Sequence, residues 1–421
     1  MVERTVLPNG LRLLTECMPH TRSVSICYFV GAGSRYEGDA EAGVSHYVEH
    51  MLFKGSQKRP SSMAISSAIE EVGGSMNGST EREFSSYWCK VARPHFLIAL
   101  DVLTDLIVSP LLDPAEMERE RGVIQEELGM TNDYPGYRME MLIDEMLWPN
   151  QPMGRDVGGT KESVQGITHA MLADYYRRQY VPSNAVLGVA GEVSHGEVVE
   201  AVEALVRAWP PGKPRPWYPA GLPSQTAPQT RLERRKTEQA HLGLALPGIP
   251  TSHPDRYALD MLSAALGEGM SSRLFMEVRE RRGLAYDIHS SVNHFRDTGS
   301  FMVSSGVDPK KGHDTVTTIL EELRRVKDGV SQEELNRARE LVKGRLLLRM
   351  EDTRAVAAWA GVQELLHDLV MSVDDVVARL EEVTPEKVQR AANDYLVAER
   401  LNLAVVGPYR SQRLFHSLLR L

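Results

Sequence analysis

The chain is poor in several things, and each shortage removes a class of function. It has 3 cysteines in 421 residues, Cys17, Cys27 and Cys89, with no CxxC spacing. That odd, scattered set offers no thiolate metal site and no disulfide framework, and it fits a reducing compartment. No segment reaches the roughly 18 uninterrupted apolar residues that a membrane span requires. The opening MVERTVLPNGLRLLTECMP also lacks a basic segment followed by an apolar run, so the expected location is cytoplasmic. Basic charge is in deficit: 48 Lys and Arg against 57 Asp and Glu give a net charge of −9, which argues against nucleic acid as the main partner. Any metal must then sit on histidine and carboxylate.

What the chain does contain is ordinary for a globular protein, with 42% hydrophobic and 25% charged residues. Its length suggests two or three domains. A joint lies between Trp209 and Thr230, where seven prolines interrupt WPPGKPRPWYPAGLPSQTAPQT and deny the donors and free φ values that helices and central strands need.

The flanking halves, 1–208 and 231–421, share a plan. Thr168 opens the helical pattern THAMLADYYRRQY and is followed 23 residues later by Gly191, at the end of the strand pattern AVLGVAG. Thr384 opens TPEKVQRAANDYL and is followed, again 23 residues later, by Gly407 at the end of LNLAVVG. Asp113 and Ser331 open a second pair of matching helices, DPAEMERERGVIQEEL and SQEELNRARELVKGRL. We read a tandem duplication. Alternating strands such as SVSICYFVGAG, mixed with amphipathic helices such as HFLIALDVLTDLIVS, predict an α+β fold of two homologous domains, each an antiparallel sheet with helices on one face.

The chemistry concentrates in GVSHYVEHMLFKG. Good helix formers between Gly43 and Gly55 predict a helix that places His46, Glu49 and His50 on one face, with the imidazoles one turn apart. That spacing chelates. Catalytic zinc takes three protein ligands and a water, so a third ligand must come from elsewhere. In ERERGVIQEELGM, Glu120 and Glu127 are seven apart on one face of a second helix, and either could reach the metal. Glu49, between the histidines, is placed to act as general base. By itself the pentapeptide also fits two helix-surface histidines beside a solvated glutamate.

HxxEH is the inverted zinc-peptidase motif, and the chain resembles the pitrilysin/insulysin family of metallopeptidases, in particular the short two-domain branch that includes mitochondrial processing peptidase and its bacterial relatives. LPNGLRLLTE, GAGSRYE, GVSHYVEHMLFKGS, GGSMNGSTEREFSSYW, VIQEELGM, PMGRDVGGT and SSRLFMEVRERRGLAY stand in the family's order. The resemblance implies one Zn2+ per chain held by His46, His50 and Glu127, Glu49 as base, and Glu120 as a supporting acid. It also implies an extended peptide substrate added to the strand that GGSMNG enters, with Asn77 as the expected side-chain contact. Arg279 and Tyr286 would reach substrate from the non-catalytic half.

Carrying the repeat across puts Leu262 and Leu266 opposite His46 and His50, and Ala338 and Arg345 opposite Glu120 and Glu127, so the second half cannot bind the metal in the same way. Full-length family members enclose a chamber with four such domains, so the resemblance implies a homodimer, or a heterodimer with a paralogue, in which Arg279 and Tyr286 serve the partner's site. Where the mitochondrial enzymes carry acids that hold a substrate arginine, this chain has Tyr137 and Met141. The expected function is a zinc-dependent endopeptidase acting on peptides or short unfolded chains within an enclosed chamber. The alternative is a non-catalytic or partner-dependent subunit of a heteromeric peptidase.

Overall fold

The computed structural model describes residues 2–221 and 225–421. Among the described residues, eleven strands form two sheets. The first contains β1 (Glu3–Val6), β2 (Arg12–Cys17), β3 (Ser23–Val30), β4 (Ser75–Thr80), β5 (Ser85–Ala92) and β6 (Ala185–Gly191) in the order β1-β2-β6-β3-β5-β4. The second contains β7 (Gln229–Arg234), β8 (Ala240–Pro247), β9 (Ala285–His294), β10 (Gly299–Val307) and β11 (Asn402–Gly407) in the order β7-β11-β8-β10-β9. Pairing is antiparallel except for one parallel pair in each sheet, β2 with β6 and β7 with β11. Long connections join those pairs, so parallel pairing is open to them.

Among the helices, the first half carries α1 (Val44–Leu52), α2 (Phe96–Val108), α3 (Pro114–Asp133), α4 (Pro135–Leu147) and α5 (His169–Gln179). The second carries α6 (Arg256–Gly267), α7 (Gln332–Arg349), α8 (Thr353–His367) and α9 (Pro385–Tyr395). The caps explain where they start. Thr168 and Thr384 accept from the backbone N–H of Met171 and Lys387, and Ser331 and Glu334 exchange hydrogen bonds as a capping box. None of the helices among the described residues is long and apolar enough to cross a membrane.

The compact units are not the contiguous halves expected from the sequence. One unit comprises Met1–Leu128, Arg155–Tyr218 and Leu347–Ser372, and the other Gly129–Gly154, Pro219–Leu346 and Val373–Leu421. The halves have exchanged one helix each, and it is the same helix of the repeat, because Pro135 of α4 and Thr353 of α8 are 218 residues apart, the interval that also separates Asp113 from Ser331. In the first unit, α2 and its neighbours cover one face of the sheet, burying Val24, Ile26 and Tyr28. Helix α8 covers the other, packing Val356, Ala357 and Ala360 on Leu14, Cys27 and Phe29. Hence β3 and β6 are buried along nearly their whole lengths, and AVLGVAG reads as a continuous apolar run. In the second unit, α4 packs Met139, Leu142 and Ile143 on Ala245 and Val406. Helical periodicity announces an apolar face but not the sheet that receives it.

The joint is partly anchored. Trp209 is buried and donates to the Tyr180 carbonyl at 2.9 Å. The Arg35 guanidinium, fully buried and paired with Glu83 at 2.6 Å, also donates to the Tyr218 carbonyl. Of the predicted linker 209–230, Leu222, Pro223 and Ser224 lie outside the described residues.

Helix α8 approaches so closely that an added Cβ at Gly188 would lie 2.5 Å from the Ala357 carbonyl oxygen, and one at Gly361 2.4 Å from the Phe29 ring. Gly188→Val and Gly361→Val are each expected to destabilise the protein by about 1–3 kcal/mol. Gly122→Ala, on α3 with nothing within 4 Å of the new methyl, is expected to stabilise it by roughly 0.5–1 kcal/mol. Urea unfolding of the three variants checks both signs.

Candidate metal centre

Helix α1 is held at its start by unusual means. Gly43 precedes it at φ 92°, in the left-handed region, and an added Cβ there would lie 2.4 Å from the Gly158 carbonyl oxygen. The buried Glu37 carboxylate accepts from the N–H groups of Gly43 and Ser45, each at 2.8 Å. A carboxylate at that end also suits the helix dipole; burial raises the Glu37 pKa, and these hydrogen bonds oppose the rise. Gly159, at φ 79°, backs onto Ala42, so VGGT of the block PMGRDVGGT forms the abutment of α1.

The buried face of α1 contains Val44, Tyr47, Val48, Met51 and Leu52. Tyr47 donates to the Met117 carbonyl of α3. Arg121 fastens α3 in turn by donating to the carbonyls of Val164 and Ile167. With the two helices tied together, the remaining face of α1 presents His46 and His50 towards α3 and Glu49 towards β4, each half-buried.

The Nε2 atoms of His46 and His50 are 3.3 Å apart. Glu127 Oε2 lies 3.4 Å from the His50 nitrogen and 3.9 Å from that of His46. Among the described residues, these three form the one group of His, Cys, Asp or Glu spaced to hold a metal ion. Zinc bonds to nitrogen and oxygen at about 2.0–2.2 Å with tetrahedral angles, which puts neighbouring ligand atoms about 3.4 Å apart. The observed spacings fit. Burial, and then the neighbouring His50, lower the His46 pKa to about 4, so its imidazole is neutral at pH 7, the form that ligates.

His50 Nδ1 is 3.1 Å from Glu120 Oε2, and Lys54 Nζ is 2.7 Å from Glu120 Oε1. A Nδ1–H donating to Glu120 leaves the Nε2 lone pair for the metal. Of the two glutamates left open by helical spacing, the structure thus places Glu127 at the centre and Glu120 behind His50.

Glu49 lies against the edge strand. Its Oε2 accepts from Thr80 Oγ1 at 2.5 Å, and an added Cβ at Gly78 would lie 3.1 Å from its Oε1. Burial raises the Glu49 pKa, with the Thr80 hydrogen bond opposing. Asn77 is exposed and pairs across β4–β5 with Trp88, so its side chain leaves the sheet on the face away from Glu49. Arg279 and Tyr286 belong to the second unit. There the Arg279 guanidinium stacks between the rings of Phe275 and Tyr286, at 4.7 and 4.6 Å, in a π-helical turn from Phe275 to Arg281. Tyr286 is 76% exposed. Tyr137 and Met141 lie on α4, also in the second unit.

Sequence reasoning missed Glu37, Lys54 and Thr80. Thr80 stands two residues beyond Gly78 on a strand, a period-two signal that needs the strand to be recognised first. Lys54 lies inside the HMLFKG segment, but its carboxylate partner is distant in sequence.

Comparison with known proteins gives the family. Residues 12–161 match the family described as Insulinase (Peptidase family M16), and a chain of Streptomyces coelicolor named as an uncharacterized zinc protease is 39% identical over 98% of this chain and 91% of its own. The chain belongs to the M16 family of zinc peptidases. An Arabidopsis thaliana chain named for the mitochondrial-processing peptidase beta subunit is 30% identical over 96% of this chain and 78% of its own. The fold matches a protease from Helicobacter pylori with a TM-score of 0.91 at 22% identity, covering 97% of this chain and 99% of that one. Residues 166–342 match the description Peptidase M16 inactive domain. At the positions that the sequence repeat sets opposite His46, His50, Glu120 and Glu127, Leu262 and Leu266 of α6 are buried, Ala338 of α7 is buried, and Arg345 pairs with Glu268.

The second-unit positions cannot substitute for the first, so His46→Ala and His50→Ala are expected to abolish tight zinc binding. Glu120→Gln is expected to weaken it by about 10–100-fold, through loss of the acid that orients His50. Competition against a chromophoric chelator measures each affinity.

Proposed function

We propose that the chain is a zinc-dependent endopeptidase that hydrolyses peptides or short unfolded polypeptides. The observation that carries this reading is the convergence of His46, His50 and Glu127 beside a glutamate that lies against an edge strand. Three protein ligands leave an open position, the pattern of a catalytic rather than a structural zinc site.

When bound, zinc supplies a Lewis acid that activates water and polarises a peptide carbonyl. Glu49 takes the water's proton and passes it to the leaving amine. A carboxylate whose pKa is raised by burial is the better base for that task. Thr80 fixes the Glu49 carboxylate, and Glu120 with Lys54 fixes the His50 ring. Strand β4 is the last in its sheet, so an extended peptide can add to it through main-chain hydrogen bonds. Because Gly78 faces Glu49, with room for no side chain between them, a peptide laid there passes the base.

In this reading Asn77, on the same strand, contacts substrate, while Arg279 and Tyr286 hold it from the second domain of a neighbouring copy within a closed chamber. A partner-dependent subunit would carry the same residues, and mixing experiments separate the cases.

Glu49→Gln is expected to keep one zinc per chain by metal analysis while losing about 10²–10⁴-fold in cleavage of a mixed peptide library; unchanged cleavage would remove Glu49 as the base. Mixing Glu49→Gln with Tyr286→Phe protein is expected to restore activity above either alone, as measured on the same library. No restoration would contradict sharing between copies.

A further inference from the structure

The reverse face of the first sheet holds a cleft of about 430 Å³, lined by Phe29, Ser79, Ser86, Trp88, Arg349 and Arg354. Its floor is sheet and one wall is the first turn of α8. The Arg354 guanidinium carbon sits 4.4 Å above the Trp88 ring, and Arg354 and Arg349 are both exposed. Neither has a carboxylate partner among the described residues. The carboxylate that also lines the cleft, Asp352, is already engaged by Lys90 at 2.6 Å and by the Ala355 N–H at 3.0 Å. In a chain with a net charge of −9, two arginines in one cleft that no carboxylate pairs with among the described residues point to an anionic occupant.

The register of the edge strand says where that anion comes from. Asn77 pairs with Trp88, Gly78 with Tyr87, and Ser79 with Ser86. Directly paired residues share a face, so Asn77 and Ser79 point to the cleft side, while Gly78 and Thr80 point to Glu49. A peptide added to β4 lies about 4.8 Å beyond it. Its residue opposite Gly78 faces Glu49, and the residues on either side of that one face the cleft beside Ser79.

Building on the peptidase reading, we infer that this cleft is a specificity subsite for an acidic side chain. It receives Asp or Glu from a substrate residue adjacent to the one presented to Glu49, and Arg349 and Arg354 supply the countercharge. The preferred substrates are then peptides carrying an acidic residue at a position of alternating register, rather than basic ones.

The test uses fluorogenic peptides that differ only in carrying Glu, Gln or Lys, with the substituted residue walked along the sequence. Wild type is expected to favour Glu over Gln in kcat/KM by roughly fivefold, the size of one or two exposed charge pairs, at a position flanked by positions of indifference. In Arg349→Gln/Arg354→Gln the ratio is expected to fall to about one, and in Arg354→Glu the preference is expected to turn towards Lys. Equal rates for Glu and Gln at every position in wild type, or a wild-type ratio kept by the double variant, would overturn the inference. Binding of the same peptides to Glu49→Gln protein separates this claim from the peptidase reading. Selective binding of the Glu peptide, lost when both arginines are also replaced, supports the cleft even where nothing is cut, and equal binding of the Glu and Gln peptides overturns it. Absence of cleavage by wild type counts against the peptidase reading alone.

Discussion

Two imidazole nitrogens facing each other at 3.3 Å, with a carboxylate oxygen 3.4 Å from one of them, bring three ligand atoms together at the separation that one cation bonded to all of them would require. That small region constrains the rest of the first unit. It requires consecutive turns of α1 to expose one face to α3, and it requires α3 to stop at a fixed height along α1. The ties that set this height lie outside the centre: Tyr47 on the Met117 carbonyl, Arg121 on the Val164 and Ile167 carbonyls, and Glu37 capping the start of α1. Each removes a degree of freedom that would otherwise have to be frozen when a cation binds.

The edge strand of the first sheet, β4, lies directly against the centre. Glycine at position 78 lets β4 lie so near Glu49 that an added Cβ would crowd it at 3.1 Å, and Thr80 on the same face holds that carboxylate. In the proposed reading the same strand therefore positions the base and offers the main-chain groups for a peptide. Alternation along the strand puts Gly78 and Thr80 on the Glu49 side and Asn77 and Ser79 on the opposite side, and the proposed reading assigns chemistry to the first face and recognition to the second.

Much of this was legible in the sequence, for definite reasons. The threonine caps at 168 and 384 and the strands that follow them announced the repeat, because caps and strand ends are local. HYVEH announced a chelating face, because four residues along a helix return to the same side. The exchange of α4 for α8 was not legible. Met139, Leu142 and Ile143 form an apolar face that would suit either sheet, and only the fit of Gly243 beneath Met139 shows which one receives it. Helical spacing left Glu120 and Glu127 equivalent, and their separation into partner of His50 and member of the centre depends on the relative placement of two helices. The parallel pair in each sheet and the face taken by Asn77 depend likewise on register.

Zinc K-edge X-ray absorption on the purified protein examines the central claim most directly. The account predicts a four-coordinate shell of nitrogen and oxygen at about 2.0–2.1 Å, outer-shell scattering from two imidazoles and no sulfur. A sulfur shell, scattering from fewer than two imidazoles, or failure of the folded protein to retain zinc would contradict it.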